Sequence, residues 1–206
     1  MDLLNWLKTF NSKERFFLIG QALGNQSFEL DQKFRDELSQ KIKISVPKRA
    51  FVAMDYHLDW IYAALFKSCK PDVDEPIAND GSILGQQEDV DLLVAFEQAG
   101  NFHIVMVEAK GVTNWTNEQI ESKAKRLTKI FAHDGNKWPN VIPYLVLMSP
   151  RPPEKLKQNG WPNWFLVDGT IAFMELSLPK EIKLKRVTRC NWVEGEGYTQ
   201  WKVAKR

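Results

Sequence analysis

The sequence predicts an α/β domain in which a mixed central sheet is flanked by helices and preceded by a helical N-terminal elaboration. Helical spacing dominates the first third of the chain, whereas apolar, β-branched runs begin at residue 90. Such runs cover residues 90–96, 103–107 and 141–148, and a helical pattern separates the second run from the third. Elements that follow one another in this order are typical of a sheet covered by helices.

The first fifty residues predict two helices. Ser12 is expected to cap a helix that ends near Gly24, and Ser27 is expected to cap the next one. The second helix has apolar residues at helical spacing, namely Leu30, Phe34, Leu38 and Ile42. Pro47 then marks a junction.

A third helix is predicted around residues 55–67. Its broad apolar face consists of Leu58, Ile61, Tyr62, Leu65 and Phe66. Asp55 and Asp59 are four residues apart, so they are expected to share one side of this helix. Residues 70–82 are rich in Pro, Asp and Gly and predict a loop.

The apolar runs at residues 90–96 and 103–107 flank Gly100-Asn101, a turn signal, and predict a β-hairpin. A helix is predicted from about Thr116, with a buried stripe formed by Ile120, Ala124, Leu127 and Phe131. The run at residues 141–148 is apolar on both faces, which predicts a central strand.

The C-terminal quarter predicts further strands. Residues 149–164 are rich in Pro and Gly and predict a loop. Asp168-Gly169 lies between two short apolar runs and predicts a second hairpin. One or two more strands are expected from Lys183 onwards, around Gly195-Glu196-Gly197.

Length and composition limit the class of protein. A chain of 206 residues suits one domain, and a formal net charge of +2 does not by itself indicate a nucleic-acid binder. Cys69 and Cys190 have no metal-ligand spacing and predict reduced thiols. No apolar run reaches about 18 residues, and the N-terminus lacks the pattern of a secretion signal. We therefore expect a cytoplasmic protein without a membrane partner.

Two acidic residues and a lysine stand where core strands favour apolar side chains. Asp91 opens one apolar run, and Glu108 and Lys110 close the next. Residues two apart on a strand point to the same face, so Glu108 and Lys110 are expected to project together. In a hairpin, the start of the first strand lies beside the end of the second. The sequence therefore predicts that Asp91 lies close to Glu108 and Lys110.

Clustered carboxylates are costly to bury unless a cation offsets their repulsion. Mg²⁺ prefers oxygen ligands and keeps several waters, which suits Asp91, Glu108 and the backbone carbonyl of Ala109. Lys110 is then placed to assist an attacking water or to stabilise negative charge. The alternative is purely structural: Asp91 is a turn residue, and Glu108 and Lys110 form a salt bridge on an exposed strand.

The stretch Glu-Asp-Val-Asp-Leu-Leu-Val at residues 88–94, followed by Val-Glu-Ala-Lys at residues 107–110, resembles the PD-(D/E)XK nuclease superfamily. The resemblance covers residues 55–150 and implies a restriction-endonuclease-like fold, with a core of one helix, three strands, a helix and a strand. It implies that Asp91 and Glu108 hold the metal and that Lys110 is the catalytic lysine. Val90 stands where many members have proline.

The resemblance also implies further site residues. Several members carry an acidic metal ligand on the preceding helix, a place that Asp59 matches, with Asp55 as the alternative. Some members place a catalytic glutamine on the helix after the lysine strand, a place that Gln119 matches, with Lys123 one turn later. Each of these residues equally suits an ordinary capping or solvated position.

Nucleic-acid contact is expected from local basic clusters. Lys123, Lys125 and Arg126 form one such cluster. A second cluster near the C-terminus consists of Lys180, Lys183, Lys185, Arg186 and Arg189. Trp138, Trp161 and Trp164 fall in or near predicted loops, where they can stack on bases or pack at the edge of the core.

The combined expectation is a single nuclease-like domain over residues 1–206, with helices in 1–50, the nuclease core in 51–150 and strands in 151–206. It is expected to hydrolyse phosphodiester bonds in DNA with Mg²⁺, for which Mn²⁺ can substitute, as a homodimer or within a larger complex. The alternative is a catalytically inactive module of the same fold that binds nucleic acid or protein.

Overall fold

The computed structural model describes residues 1–73, 76–85, 88–111, 115–178 and 185–205. It contains five α-helices in these ranges: α1 (Leu3–Phe10), α2 (Glu14–Ala22), α3 (Gln32–Ile42), α4 (Leu58–Cys69) and α5 (Asn117–Phe131). The strands of the same ranges are β1 (Phe51–His57), β2 (Asp89–Gln98), β3 (Asn101–Ala109), β4 (Val141–Ser149), β5 (Leu166–Val167), β6 (Thr170–Glu175), β7 (Lys185–Val193) and β8 (Gly197–Lys205).

The central sheet is mixed and has six strands in the order β1-β2-β3-β4-β6-β5. Strands β1, β2 and β3 form an antiparallel meander. Strand β4 pairs parallel to β3, and β6 pairs parallel to β4. Helix α5 connects β3 to β4, because a parallel pair needs a crossover connection. The predicted mixed sheet, its helical cover and the central position of β4 are confirmed.

Each face of the sheet is covered by its own apolar cluster. Alternate residues of β2, such as Leu93 and Ala95, belong to the larger cluster together with α1, α4 and α5. Their neighbours Val94 and Phe96 belong to the second cluster, which includes Leu38 and Ile42 of α3. The predicted stripe of α5 is confirmed, because Ile120, Ala124, Leu127 and Phe131 are all buried.

The N-terminal region differs from the prediction. It forms three helices instead of two. The additional helix is α1, which Asp2 caps by accepting a hydrogen bond from the backbone amide of Asn5. Ser12 does not cap α2, whose N-cap residue is Lys13, and Ser27 does not cap α3. Asp31 takes that role by accepting from two amides of the first turn of α3.

The helix predicted at residues 55–67 is shifted, because its expected first turn belongs to strand β1. Helix α4 begins at Leu58, so Asp55 neither caps it nor shares a helical face with Asp59. Asp55 adopts a left-handed backbone conformation, with φ 49°, near the end of β1, and its carboxylate pairs with Arg15 at 3.4 Å. The expectation failed because β1 has few β-branched residues and merges directly into an apolar helix.

The two predicted hairpins are confirmed. Ala99 and Gly100 form the turn of the first, one residue earlier than predicted, and both have a positive φ. Asp168 and Gly169 do the same between β5 and β6. Strands β7 and β8 pair with each other in a separate two-stranded sheet. Both cysteines are unpaired, and every helix in the described ranges is too short or too polar to cross a bilayer.

A buried hydrogen bond fastens α1 to the sheet. The hydroxyl of Tyr56 donates to the carbonyl of Leu7 at 2.8 Å, and both side chains are fully buried. This carbonyl lies in the last turn of α1, where backbone acceptors lack a helical partner. We predict that Tyr56→Phe lowers the free energy of unfolding by about 1–2 kcal/mol in urea denaturation.

Tyr62→Phe is the matched control, because the hydroxyl of Tyr62 makes an exposed contact of 3.3 Å with Asp80. Its effect should stay within about 0.5 kcal/mol. Equal effects of the two substitutions would contradict the role given to Tyr56.

Candidate metal centre

The register of the β2–β3 hairpin brings Asp91 and Glu108 together. The β2–β3 pairing ends with Leu92 opposite Val107, and Asp91 and Glu108 are the next residue of each strand. Glu108 lies on the face that α5 covers, because Met106, two residues earlier, belongs to the cluster that contains α5. The negative charge of Asp91 raises the pKa of Glu108, which indicates that the two carboxylates lie near each other.

The carboxylate of Asp91 lies against the end of β3. Its Oδ2 accepts a hydrogen bond of 2.6 Å from the backbone amide of Ala109. In an extended strand, the N–H and C=O of one residue point to the same side. We therefore expect the carbonyl of Ala109 to face β2 as well. The backbone of Lys110 turns the other way and donates to Met148 of β4 at 2.8 Å.

Lys123 of α5 reaches the carboxylates of Glu108 and Glu88. Its Nζ lies 3.0 Å from Oε1 of Glu108 and 3.8 Å from Oε1 of Glu88, and it donates to the carbonyl of Asp89 at 2.6 Å. The side chains of Lys123 and Glu108 are only 13% and 14% exposed. This ion pair is therefore shielded from solvent far more than an ordinary surface salt bridge.

Burial raises the pKa of Glu108 to about 7. The positive charge of Lys123 opposes this shift, whereas the negative charges of Asp91 and Glu88 add to it. The Oε1 atom is buried, and the ammonium of Lys123 lies 3.0 Å from it. Glu108 is thus a carboxylate whose charge the protein alone does not fully stabilise.

Lys110 follows β3 directly, and its ammonium group lies 5.5 Å from the centre of the Trp115 ring. Such a cation–π contact holds the lysine beside the aromatic face. Within the described ranges, Lys110 forms no salt bridge. The lysine that touches Glu108 is therefore Lys123, a residue for which the sequence favoured only a secondary role.

The other residues of α5 that the sequence predicted for the site lie in different environments. Gln119 is exposed one turn before Lys123. Its backbone amide donates a hydrogen bond of 3.4 Å to the capping hydroxyl of Thr116. Lys125 is exposed to solvent, whereas Arg126 is only 5% exposed. Lys123, Lys125 and Arg126 therefore do not form one basic surface, which corrects the predicted phosphate-binding cluster.

Asp59 has partners of its own. Its carboxylate pairs with Arg126 and accepts from the backbone amides of Leu84 at 3.2 Å and Gly85 at 2.8 Å. Asp59 thus joins the first turn of α4 to α5 and to the loop before β2. With its oxygens engaged in this way, Asp59 takes a structural role rather than the predicted role of a metal ligand.

Acidic residues that the sequence analysis did not assign lie beside the pair. Glu88 shares the ammonium of Lys123 with Glu108. Asp89 pairs with Lys13 at 2.9 Å, and its other oxygen lies 2.6 Å from Nδ1 of His57. Both acids belong to the stretch at residues 88–94 that carries the resemblance. Their roles depend on contacts with α5, α2 and β1, which local sequence does not specify.

The three tryptophans expected in loops pack at the edge of the core. Trp161 is 4% exposed. The indoles of Trp138 and Trp164 donate to backbone carbonyls at the end of α5, at 2.7 and 3.1 Å. Trp161 is therefore buried, whereas Trp138 and Trp164 are half-buried and held by these hydrogen bonds. Of the C-terminal basic cluster, Lys180 and Lys183 lie outside the described residues.

The donor set fits Mg²⁺ better than a metal that needs a complete protein cage. Among the described residues, no three His, Cys, Asp or Glu side chains group to hold a metal. Mg²⁺ is commonly bound through one or two carboxylates and completes its shell with water and substrate phosphate. The residues that could hold such an ion are Asp91, Glu108 and, through its carbonyl, Ala109.

No family model, no curated protein and no solved structure matches the chain.

The raised pKa of Glu108 has a consequence for stability. In metal-free protein, the unfolded carboxyl ionises near 4.5 and the folded one near 7, so ionisation favours unfolding as the pH rises between these values. Glu108→Gln cannot ionise. We predict that the free energy of unfolding of Glu108→Gln, minus that of wild type, increases by about 3 kcal/mol between pH 4.5 and pH 8. Thermal unfolding in EDTA across this range measures the difference, and a flat difference would contradict it.

The Asp59–Arg126 pair makes a second stability prediction. Asp59→Ala leaves the guanidinium of Arg126 buried and without its carboxylate, so we expect a loss of about 3–5 kcal/mol. The double variant Asp59→Ala, Arg126→Met should recover much of that loss in the same denaturation experiment. If Asp59 acted as a metal ligand, its removal would instead abolish the stabilisation of the protein by Mn²⁺.

Proposed function

We propose that the chain is a Mg²⁺-dependent nuclease that hydrolyses phosphodiester bonds in DNA at the Asp91–Glu108 centre. The observation that carries the proposal is the juxtaposition of Asp91 and Glu108 on neighbouring strands, with Glu108 buried enough to raise its pKa to about 7. Perturbed carboxylates gathered at a strand end are characteristic of functional sites.

The topology supports the resemblance that the sequence shows. An antiparallel β1–β2–β3 meander is followed by the α5 crossover and the parallel strand β4. The two acidic positions lie on the second and third strands of the meander, as the resemblance implies. One difference is helix α4, which is inserted between β1 and β2 where the implied core has consecutive strands.

Each residue of the centre has a role in the proposal. When bound, Mg²⁺ supplies a Lewis acid that polarises a phosphoryl oxygen and acidifies water. Asp91 and Glu108 hold the cation, and the amide of Ala109 keeps Asp91 in place. Lys123 limits the repulsion between Glu108 and Glu88 while the cation is away. Lys110, whose ammonium lies 5.5 Å from the centre of the Trp115 ring, provides the positive charge for the scissile phosphate.

A second candidate is the catalytically inactive module of the same fold. The observation that favours it is Lys123, whose ammonium lies 3.0 Å from Glu108 and already offsets its charge. In this case the ion pair replaces a metal and serves only to hold α5 against β3. The two candidates differ in whether divalent cations bind.

Cation binding is the first test. We predict that Mg²⁺ and Mn²⁺ raise the thermal unfolding temperature of the wild-type chain and that Asp91→Asn removes this effect. Glu97→Gln is a matched control, because Glu97 is exposed on the same strand β2 and outside the centre. Identical responses of wild type and Asp91→Asn would favour the inactive module.

Cleavage is the second test. We predict that purified chain nicks supercoiled plasmid DNA with Mg²⁺ and that Asp91→Asn, Glu108→Gln and Lys110→Ala each slow nicking at least about 100-fold. The Glu97→Gln variant should cleave at the wild-type rate. Activity that persists equally in all three centre variants would come from a contaminant and would refute the proposal.

A further inference from the structure

The β7–β8 hairpin exposes an unusual amount of apolar surface. Among the described residues, 15 large apolar side chains are exposed, and six of them lie in this hairpin of 21 residues: Val187, Trp192, Val193, Tyr198, Trp201 and Val203. Trp192 and Trp201 are 66% and 67% exposed. Exposed apolar groups concentrated in this way mark an interaction surface.

The hairpin also has a net positive charge, whereas the rest of the chain does not. Residues 185–205 contain five basic and two acidic residues, whereas the remaining residues contain 23 basic and 24 acidic ones. The net charge of +2 therefore arises from this segment. A local excess of positive charge attracts a polyanion even when the whole protein is nearly neutral.

Aromatic and basic side chains of the hairpin contact one another. Arg189 is paired directly with Trp201, and the Val187–Val203 pair lies two residues further along the same face. The guanidinium of Arg189 lies 5.1 Å from the centre of the Tyr198 ring. Trp192 packs edge-on against Tyr198, with the ring centres 5.0 Å apart. These contacts place two of the exposed rings next to a cation.

We propose that the β7–β8 hairpin is a binding arm for single-stranded DNA. Exposed rings stack on unpaired bases of any sequence, and adjacent cations hold the phosphates, which is the chemistry of single-strand binding surfaces. A second copy of the chain fits less well, because two identical basic surfaces would bring like charges together. The biological role of this arm rests on the proposed nuclease function, and it specifies that the substrate is single-stranded DNA.

The test measures binding without cleavage. Full-length chain in EDTA is titrated into a fluorescein-labelled single-stranded DNA of mixed sequence, about 20 nucleotides long, and fluorescence anisotropy is recorded. We expect Trp201→Ala to weaken binding about tenfold and Trp201→Phe to retain most of the affinity, since a smaller ring still stacks. Arg189→Ala should weaken binding and reduce the slope of log affinity against log salt by about one.

Two variants outside the hairpin serve as matched controls. Phe17→Ala removes another exposed aromatic ring, and Lys43→Ala removes another exposed cation, which pairs with Asp168. Neither should change the affinity. Thermal unfolding of each variant confirms that the chain remains folded.

Several results would overturn the inference. Wild-type affinity in both Trp201→Ala and Arg189→Ala would do so, as would tighter binding to duplex DNA or to the matching ribonucleotide. A change from dimer to monomer in Trp201→Ala, measured by light scattering, would assign the surface to a second copy. The Asp91→Asn variant separates the two proposals: if it binds but wild type does not cleave with Mg²⁺, the arm stands and the nuclease fails.

Discussion

The register of the β2–β3 hairpin is the constraint on which the rest of the centre depends. It is set by the turn at Ala99 and Gly100, whose left-handed backbone closes the hairpin with only two residues. A shift of one residue would move Glu108 to the opposite face of the sheet, away from α5 and Lys123. The alternating burial of both strands in two apolar clusters holds this register in place.

The centre lies where the apolar core beneath α5 ends. Ile120, Ala124 and Leu127 pack into the core, whereas Lys123 reaches the polar strand ends. Glu108 is buried by the same packing, which explains why its carboxyl resists ionisation. Packing of one helix thus stabilises the sheet and also raises the pKa of the Glu108 carboxyl.

Much of this arrangement could be predicted from sequence because it depends on local patterns. Strand alternation and the turn at Gly100 were sufficient to place Asp91 and Glu108 at the adjoining ends of β2 and β3. The capping residue Thr116 and the stripe of α5 were recognisable for the same reason. The resemblance added roles for Lys110 and Gln119, which stay predictions.

The remaining features depend on contacts between distant segments. Arg126 looks like a surface cation in sequence, yet it is buried against Asp59, which is 67 residues away. Lys123 reaches Glu108 only because α5 crosses over β3. The sequence left open whether the loop tryptophans stack on bases or pack at the core edge. They pack at the edge, whereas Trp192 and Trp201 in the terminal hairpin are exposed. Hydrophobic periodicity cannot distinguish these cases, since it reports local segments and not their neighbours.

The central claim is that Asp91 and Glu108 share a divalent cation. A crystal soaked in Mn²⁺ and measured at the manganese absorption edge tests it most directly. We predict an anomalous peak bridging the carboxylates of Asp91 and Glu108, with the ammonium of Lys123 displaced from its position 3.0 Å from Glu108. A map without such a peak, in which the Lys123–Glu108 ion pair is intact at saturating Mn²⁺, would contradict the claim.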